Sequence, residues 1–207
     1  TDVPMAWSAR CFAPFAAADL SALRTTLSGS AALPVEILNR WEARTGRRPL
    51  EGYGLTEAGP LLTFNPMNGS SKPGSTGLPA PGITIEIVDL DEGNRVLQRG
   101  EQGEIRARGR QLMSGYRNLP EVTAQTLRKG WLYTGDIGEL DADGYLYIRD
   151  RKKDLVIVSG FNVYPREVDE TLYRHPGVAE AGTVGVPDAY RGERLVACVV
   201  ARPGHAP

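Results

Sequence analysis

Residues 51–57 combine side chains and backbone freedom that could hold a phosphorylated ligand. They read Glu-Gly-Tyr-Gly-Leu-Thr-Glu, and glycines let the backbone approach a ligand closely. Tyr53 offers a flat aromatic face, Thr56 a hydroxyl donor, and Glu57 a hard carboxylate oxygen of the kind that Mg²⁺ binds. That set suits a nucleotide, although an ordinary glycine-rich turn has the same residue types.

Three further motifs lie downstream. They are Gly-Trp-Leu-Tyr-Thr-Gly-Asp at 130–136, Asp-Arg-Lys-Lys-Asp at 150–154, and Ser-Gly-Phe-Asn-Val-Tyr-Pro at 159–165. Asp136 could accept hydrogen bonds from the two vicinal hydroxyls of a ribose, or it could cap a turn. Arg151 could hold a ribose oxygen or a phosphate with its planar guanidinium, or it could belong to a solvated run of charges.

In this order and spacing, the four motifs resemble those of the adenylate-forming enzymes, which include acyl-CoA synthetases, peptide-synthetase adenylation domains and luciferases. The ranges 51–66 and 147–178 are most similar to bacterial long-chain fatty acid–CoA ligases. The resemblance begins at about Leu23 and covers nearly the whole chain. It implies ATP-dependent activation of a fatty, long-chain carboxylic acid to an acyl-adenylate, followed by thioester formation with CoA.

The resemblance also implies roles for individual residues. Thr56 and Glu57 would be catalytic, with Thr56 on the α-phosphate and Glu57 binding Mg²⁺, and Lys153 would be the hinge of a mobile domain. The residues implied for ATP or AMP binding are Gly29, Ser30, Ala31, Glu51, Gly52, Tyr53, Gly54, Leu55, Thr56, Asp136 and Arg151. The residues implied for CoA binding are Ser159, Gly160 and Phe161.

Two positions depart from the family pattern. Many relatives have Gly-Gly-Ala where this chain has Gly29-Ser30-Ala31, and the hydroxymethyl group of Ser30 could narrow the mouth of the acyl pocket. Gly59 stands where Ser or Cys is common. The sequence therefore leaves the acid open, and an aryl, medium-chain or malonyl acid is an alternative. A non-catalytic nucleotide-binding fragment and a purely structural fragment are further alternatives.

The ends of the chain indicate a fragment. It opens with Thr-Asp-Val-Pro, without an initiator Met, and stops at Gly-His-Ala-Pro. By the resemblance, a phosphate loop would precede Leu23 and a catalytic lysine would follow Pro207. We therefore expect the fragment alone to be inactive.

Composition bears on partners and location. The net charge of −1 gives no reason to expect a nucleic-acid partner. Cys11 and Cys198 are the only cysteines and predict reduced thiols in a cytoplasmic protein. His175 and His205 lack the spacing of a transition-metal site. We expect small-molecule substrates, namely a fatty acid, ATP and CoA, while peripheral membrane contact and the oligomeric state stay open.

Hydrophobic patterning predicts an α/β fold in three regions. Residues 1–65 alternate between helix and strand, and residues 66–149 are β-rich, either a small barrel-like subdomain or a distorted sheet. By the resemblance, residues 1–149 are the C-terminal part of a large adenylation domain of the acyl-CoA synthetase fold. Residues 150–207 are the hinge and the first half of a small mobile α+β domain.

Individual elements follow from the same patterns. Alternating or short apolar runs predict strands, and proline predicts the first residue of a helix because its fixed φ suits that position. The expected strands are 23–27, 83–88, 103–108, 155–158, 183–186 and 195–201, with a hairpin at 140–148 and a surface loop at 66–82. The expected helices begin at Pro34, Pro120 and Pro165 and end at Gly46, near Gly130 and at Pro176–Gly177.

Overall fold

The computed structural model describes residues 19–29, 33 and 35–205. Within these ranges, three β-sheets follow one another along the chain, and three α-helices connect or cover their strands. The α/β class is confirmed, and the β-rich middle region is an open, distorted sheet. None of the described helices is both long and apolar enough to cross a membrane.

The first sheet has four short strands in chain order. They are β1 (Leu27–Ser28), β2 (Leu50–Tyr53), β3 (Thr63–Phe64) and β4 (Leu78–Pro79). β1 runs parallel to β2, and the other pairs are antiparallel. Helix α1 (Val35–Thr45) connects β1 to β2 and buries Leu38 and Trp41, and Gly46 follows it with a left-handed φ of 68°.

The predicted strand 23–27 is wrong. Only Leu27 and Ser28 pair with β2, and Leu27 is 59% exposed whereas Ser28 is buried. Leu23 is only half-buried, and sheet pairing begins at the last residue of the stretch. Pro34, the predicted helix start, lies outside the described residues.

The second sheet has five strands. They are β5 (Thr84–Val88), β6 (Gly103–Arg108), β7 (Leu127–Arg128), β8 (Trp131–Leu140) and β9 (Leu146–Arg151). Their order is β5-β6-β8, and both β7 and β9 pair with the remaining edge of β8. The strands predicted at 83–88 and 103–108 and the hairpin at 140–148 are confirmed.

Helix α2 (Pro120–Thr126) begins at the predicted proline but ends earlier than the sequence suggested. Its C-terminus is followed by β7, and the chain then reverses through Lys129 and Gly130, with φ values of 52° and 79°. Two consecutive residues with positive φ make a tight hairpin turn that matches the twist of the strands. The predicted continuation of the helix to Gly130 is therefore wrong.

The main core joins the second sheet to the first. It contains Ile85, Ile105 and Leu132 from the second sheet, together with Ala58 and Leu62 from the chain between β2 and β3. These side chains are almost completely buried. Burial of apolar surface at this junction therefore fixes the 51–58 segment beside β8.

The third sheet follows a short 3-10 helix, Lys152–Asp154. Its strands are β10 (Val156–Val158), β11 (Phe161–Val163), β12 (Val178–Asp188) and β13 (Gly192–Ala201), in the order β11-β10-β13-β12. Helix α3 (Pro165–Tyr173) packs on β12, begins at the predicted proline and ends before the predicted Pro176–Gly177. Strands β10, β12 and β13 confirm the three strands expected in this region.

Candidate functional site

The 51–57 segment folds back on itself at a glycine. After β2 ends, the chain passes through Gly54 and Leu55 into a short 3-10 helix, Thr56–Ala58. A Cβ atom on Gly54 would lie 1.7 Å from the carbonyl oxygen of Pro60. Only glycine fits at such a close backbone approach.

A hydrogen bond joins the first motif to the second. The hydroxyl of Tyr53 donates to Oδ2 of Asp136 at 2.6 Å. Burial raises the pKa of the Asp136 carboxyl, while the Tyr53 hydroxyl and the Arg151 guanidinium act in the opposite direction. Burial, followed by the charge of Asp136, raises the pKa of Tyr53 well above its usual range. Tyr53 therefore stays protonated and holds the carboxylate in one orientation.

The turn that carries Asp136 is braced on both sides. Thr134 Oγ1 donates to the carbonyl oxygen of Ile105 at 2.8 Å and accepts the N–H of Asp136 at 3.1 Å. Gly135 has a φ of 74°, and its N–H donates to Oε1 of the buried Glu104 at 3.3 Å. The backbone around Asp136 is thus fixed by side chains as well as by the sheet.

Arg151 lies directly opposite Asp136 in the pairing of β8 with β9. Its Nε is 3.7 Å from Oδ1 of Asp136, and its side chain is largely exposed. The next residue, Lys152, places Nζ 2.9 Å from Oε2 of Glu104. The guanidinium of Arg151 is therefore positioned at the site but remains accessible to a ligand.

Two cavities meet at Asp136 and Arg151. The first has a volume of about 310 Å³ and is lined by residues 51–55 together with Asp136 and Arg151. The second has a volume of about 530 Å³ and is lined by Glu57 and by Asp136 and Arg151 again. The carboxylate and the guanidinium therefore stand between the Tyr53 end of the site and the Glu57 end.

A third cavity lies on the other side of the same backbone. Its volume is about 360 Å³, and it shares Gly52–Leu55 with the first cavity. Gly29 and Thr56 line it, together with the apolar side chains of Leu61 and Phe64. The segment 52–55 thus separates a cavity lined by several charged side chains from one whose described lining residues include no charged side chain.

Glu57 has one carboxylate oxygen engaged. The hydroxyl of Tyr116 donates to Oε1 at 2.7 Å, and this hydrogen bond raises the pKa of Tyr116. No cluster of three or more His, Cys, Asp or Glu side chains that could hold a metal occurs in the part of the chain that the structure describes. A single carboxylate nevertheless fits Mg²⁺, which commonly takes one or two protein carboxylates and completes its shell with phosphate and water oxygens.

Two sequence models of a known family match this chain. The model of AMP-binding enzymes matches residues 3–117, and the model of their C-terminal domain matches residues 167–207. The chain belongs to the AMP-binding enzyme family. This membership confirms the predicted resemblance and, with it, a fold that is part of the acyl-CoA synthetase fold.

Relatives of this chain include ligases of different acids. A long-chain-fatty-acid–CoA ligase of Bacillus subtilis is 50% identical over 186 residues, which are 90% of this chain and 33% of that protein. A feruloyl-CoA synthase of Amycolatopsis is 40% identical over 188 residues, 90% of this chain and 38% of that protein. The structure of ATP-bound MatB from Rhodopseudomonas palustris superposes with a TM-score of 0.84 at 41% identity, covering 88% of this chain and 36% of that one. The chain thus spans about a third of the length of the curated relatives it matches.

Some of the residues predicted to bind ligands lie away from the cavities. Ser159 and Gly160 form the turn of the β10–β11 hairpin with φ values of 51° and 85°, and Phe161 beside them is 76% exposed. None of these three residues lines the three cavities around Asp136. Lys153 lines the second cavity from the 3-10 helix. Ser30 and Ala31 lie outside the described residues.

The sequence motifs do not single out every residue of the candidate site. Tyr116 is 59 positions from Glu57, and Arg166 lines the first cavity from helix α3. Nothing in the local sequence distinguishes Tyr116, because its role depends on a contact between distant segments. The signal available for Arg166 was its place just after Pro165 at the start of a helix.

Glu51 is a buried carboxyl in the first cavity. Burial raises its pKa from the usual 4.5 to about 7, against the opposing charges of Arg166 and Arg48. The folded state therefore holds a proton at Glu51 that the unfolded chain has lost in the interval between these values. Stability should fall as the pH rises from about 4.5 through about 7.

Glu51→Gln should make the free energy of unfolding nearly independent of pH between about 4.5 and about 7. The effect is on the order of 3 kcal/mol, since one pKa unit corresponds to about 1.4 kcal/mol. Urea unfolding near pH 5 and near pH 8 measures it. The exposed Glu121→Gln serves as a control that should follow the wild-type profile. Parallel profiles for the wild type and Glu51→Gln would show that Glu51 does not titrate in this interval.

Proposed function

We propose that this chain is the nucleotide-binding part of an AMP-forming acid–CoA ligase that activates a long-chain fatty acid. One observation carries the proposal: Asp136 and Arg151 stand between a cavity lined by Glu51–Leu55 and a cavity lined by Glu57. A nucleotide presents base, ribose and phosphate in the same order. The 50% identity to a long-chain-fatty-acid–CoA ligase supports the choice of acid.

In this proposal, the base lies along Glu51–Gly54 and the ribose hydroxyls donate to Asp136. Oδ2 of Asp136 already accepts the Tyr53 hydroxyl, so Oδ1, which faces Arg151, is the oxygen first available to the ribose. Because Tyr53 fixes the carboxylate before the ligand arrives, little conformational freedom is lost on binding. Arg151 adds a permanently charged donor to the ribose.

The phosphates would extend toward Thr56 and Glu57. Thr56 is exposed and can donate its hydroxyl to the α-phosphate, and Glu57 can offer Mg²⁺ the carboxylate oxygen that Tyr116 does not engage. When bound, Mg²⁺ would neutralise phosphate charge. The acid's carboxylate oxygen attacks the α-phosphorus and pyrophosphate leaves, so the chain's task in this step is positioning and charge stabilisation.

The acyl group and CoA occupy other parts of the proposed site. The third cavity, with Leu61 and Phe64, is the apolar space adjoining the nucleotide. In the second step, the CoA sulfur attacks the acyl carbon and AMP leaves. Because Ser159–Phe161 do not line the cavities, this step requires the third sheet to reorient, with Lys153 as the proposed hinge. We place the enzyme in the cytoplasm and leave peripheral membrane contact open.

A second candidate substrate is an aromatic acid, which the 40% identity to feruloyl-CoA synthase favours. The two candidate functions differ only in the acid, and the reaction with ATP is the same in both. Acyl-CoA formation by the full-length protein, measured with saturated acids of increasing length and with ferulate, separates them. Preference for ferulate over every saturated acid would contradict the fatty-acid proposal.

Asp136→Ala should weaken AMP and ATP binding by one to two decades. The ribose hydroxyls lose a charged acceptor, and hydrogen bonds to charged groups contribute roughly 1.5–3 kcal/mol. Calorimetric titration of AMP into the wild type and the variant measures the loss. Asp91→Ala, which removes an exposed carboxylate outside the cavities, is the control. Unchanged AMP affinity in Asp136→Ala would contradict the proposed site.

A further inference from the structure

Arg166 connects helix α3 to strand β9. Its Nη1 donates to the carbonyl oxygen of Ile148 at 2.8 Å, and its backbone N–H donates to Oδ2 of Asp150 at 3.2 Å. Its Nε also donates to Glu170, one turn along the same helix, at 3.1 Å. The side chain is mostly covered. The guanidinium is therefore held between the helix and the second sheet.

These contacts bridge the proposed hinge. Ile148 and Asp150 precede Lys153 in the chain, whereas Arg166 follows it. On the preceding side the chain is firmly tied, because Arg151 pairs with β8 and Lys152 binds Glu104. A rotation at Lys153 would therefore leave β9 in place and carry α3 away from it.

The charge of the first cavity also favours the position of Arg166 described here. Its lining contains more carboxyl groups than guanidinium groups: Glu51, Asp136, Asp150 and Asp154 against Arg151 and Arg166. The guanidinium of Arg166 attracts the carboxylate form of Glu51. Moving α3 away would remove one of two cations from a mainly acidic wall, and this loss opposes the motion.

We propose that Arg166 is a positioning residue that holds helix α3 against the nucleotide cavity and that its hydrogen bonds to β9 break when the chain rotates at Lys153. The inference rests on the proposed function, from which the hinge at Lys153 is taken. Arg166 thereby sets the balance between the arrangement described here and one in which the Ser159–Gly160 turn approaches the cavity.

Distance measurements test this balance without nucleotide or catalysis. Spin labels on the exposed Cys198 of β13 and on Val122→Cys in α2, in a Cys11→Ser background, report the separation of the third sheet from the second. Arg166→Gln should raise the ratio of a second distance population to the first roughly tenfold, because a hydrogen bond from a charged donor is lost. Arg166→Lys keeps a charge and a donor and should give an intermediate ratio.

Arg174→Gln is the matched control. It makes the same charge change at the other, exposed end of α3 and should leave the distances as in the wild type. A wild-type distribution in Arg166→Gln would overturn the inference, as would equal broadening in Arg174→Gln. If Arg166→Gln does not fold, a ratio in Arg166→Lys equal to that of Arg174→Gln overturns it instead. AMP titration of Asp136→Ala tests the proposed function separately, so the two failures are distinguishable.

Discussion

Gly54→Ala should both destabilise the protein and abolish AMP binding. The added Cβ would lie 1.7 Å from the Pro60 carbonyl oxygen, 2.6 Å from its carbon and 2.8 Å from Cα of Leu61. All three are backbone atoms and cannot turn aside as a side chain would. Overpacking of this kind costs about 1–3 kcal/mol or more of folding stability. The clash is relieved only if the segment 52–55, which separates two cavities, moves. Urea unfolding and AMP titration measure the two effects.

Gly182→Ala is the matched control for Gly54→Ala. Neither glycine has a left-handed φ, and a Cβ on Gly182 would meet nothing within 4 Å. The control should therefore keep its stability within about 0.5 kcal/mol and its full AMP affinity. A Gly54→Ala protein that matches the control in both measurements would refute the close approach of residues 54 and 60.

Lys153→Pro should separate the two half-reactions of the full-length protein. Proline locks φ near −65° and removes the backbone N–H, and it also restricts the preceding Lys152, which lies in the same 3-10 helix. If Lys153 is the pivot, one arrangement is trapped. Thioester formation from preformed acyl-adenylate should then fall much further than first-turnover pyrophosphate release. Rapid-quench measurement of each half-reaction gives the comparison.

Lys153→Ala controls for the loss of the ammonium group. It leaves the backbone free to rotate, so both half-reactions should change little. Equal loss of both half-reactions in the proline variant, or loss in neither, contradicts a hinge at this position. An alanine variant as impaired as the proline variant would assign the effect to the ammonium group.

Elements with strong local patterns could be predicted from the sequence. The alternation at 83–88 and 103–108 and the prolines at 120 and 165 predicted strands and helices that the structure contains. The predicted strand 23–27 was wrong because apolar composition alone does not reveal whether a stretch is buried. The extension of α2 to Gly130 was wrong because a two-residue strand gives almost no periodic signal.

The sequence motifs single out residues of the candidate site one by one but do not predict the contacts between them. The motifs identified Tyr53 and Asp136 separately, and their hydrogen bond joins positions 83 residues apart. Such contacts depend on strand register and on how the two sheets pack, which no local pattern encodes. The same holds for Glu104, which reaches Gly135 and Lys152, and for Arg166 at the cavity wall.

The two ends of the candidate site depend on different segments that share one edge of β8. The segment 109–130 pairs with β8 only at Trp131 and Leu132, whereas β9 takes over the same edge from Asp136 onward. Insertions, deletions or grafted loops within 109–130 can thus alter Tyr116 and its contact with Glu57. Such changes do not affect the strand register that places Asp136 opposite Arg151. A change of length there should therefore alter the Glu57 end of the candidate site and leave the Asp136 end intact.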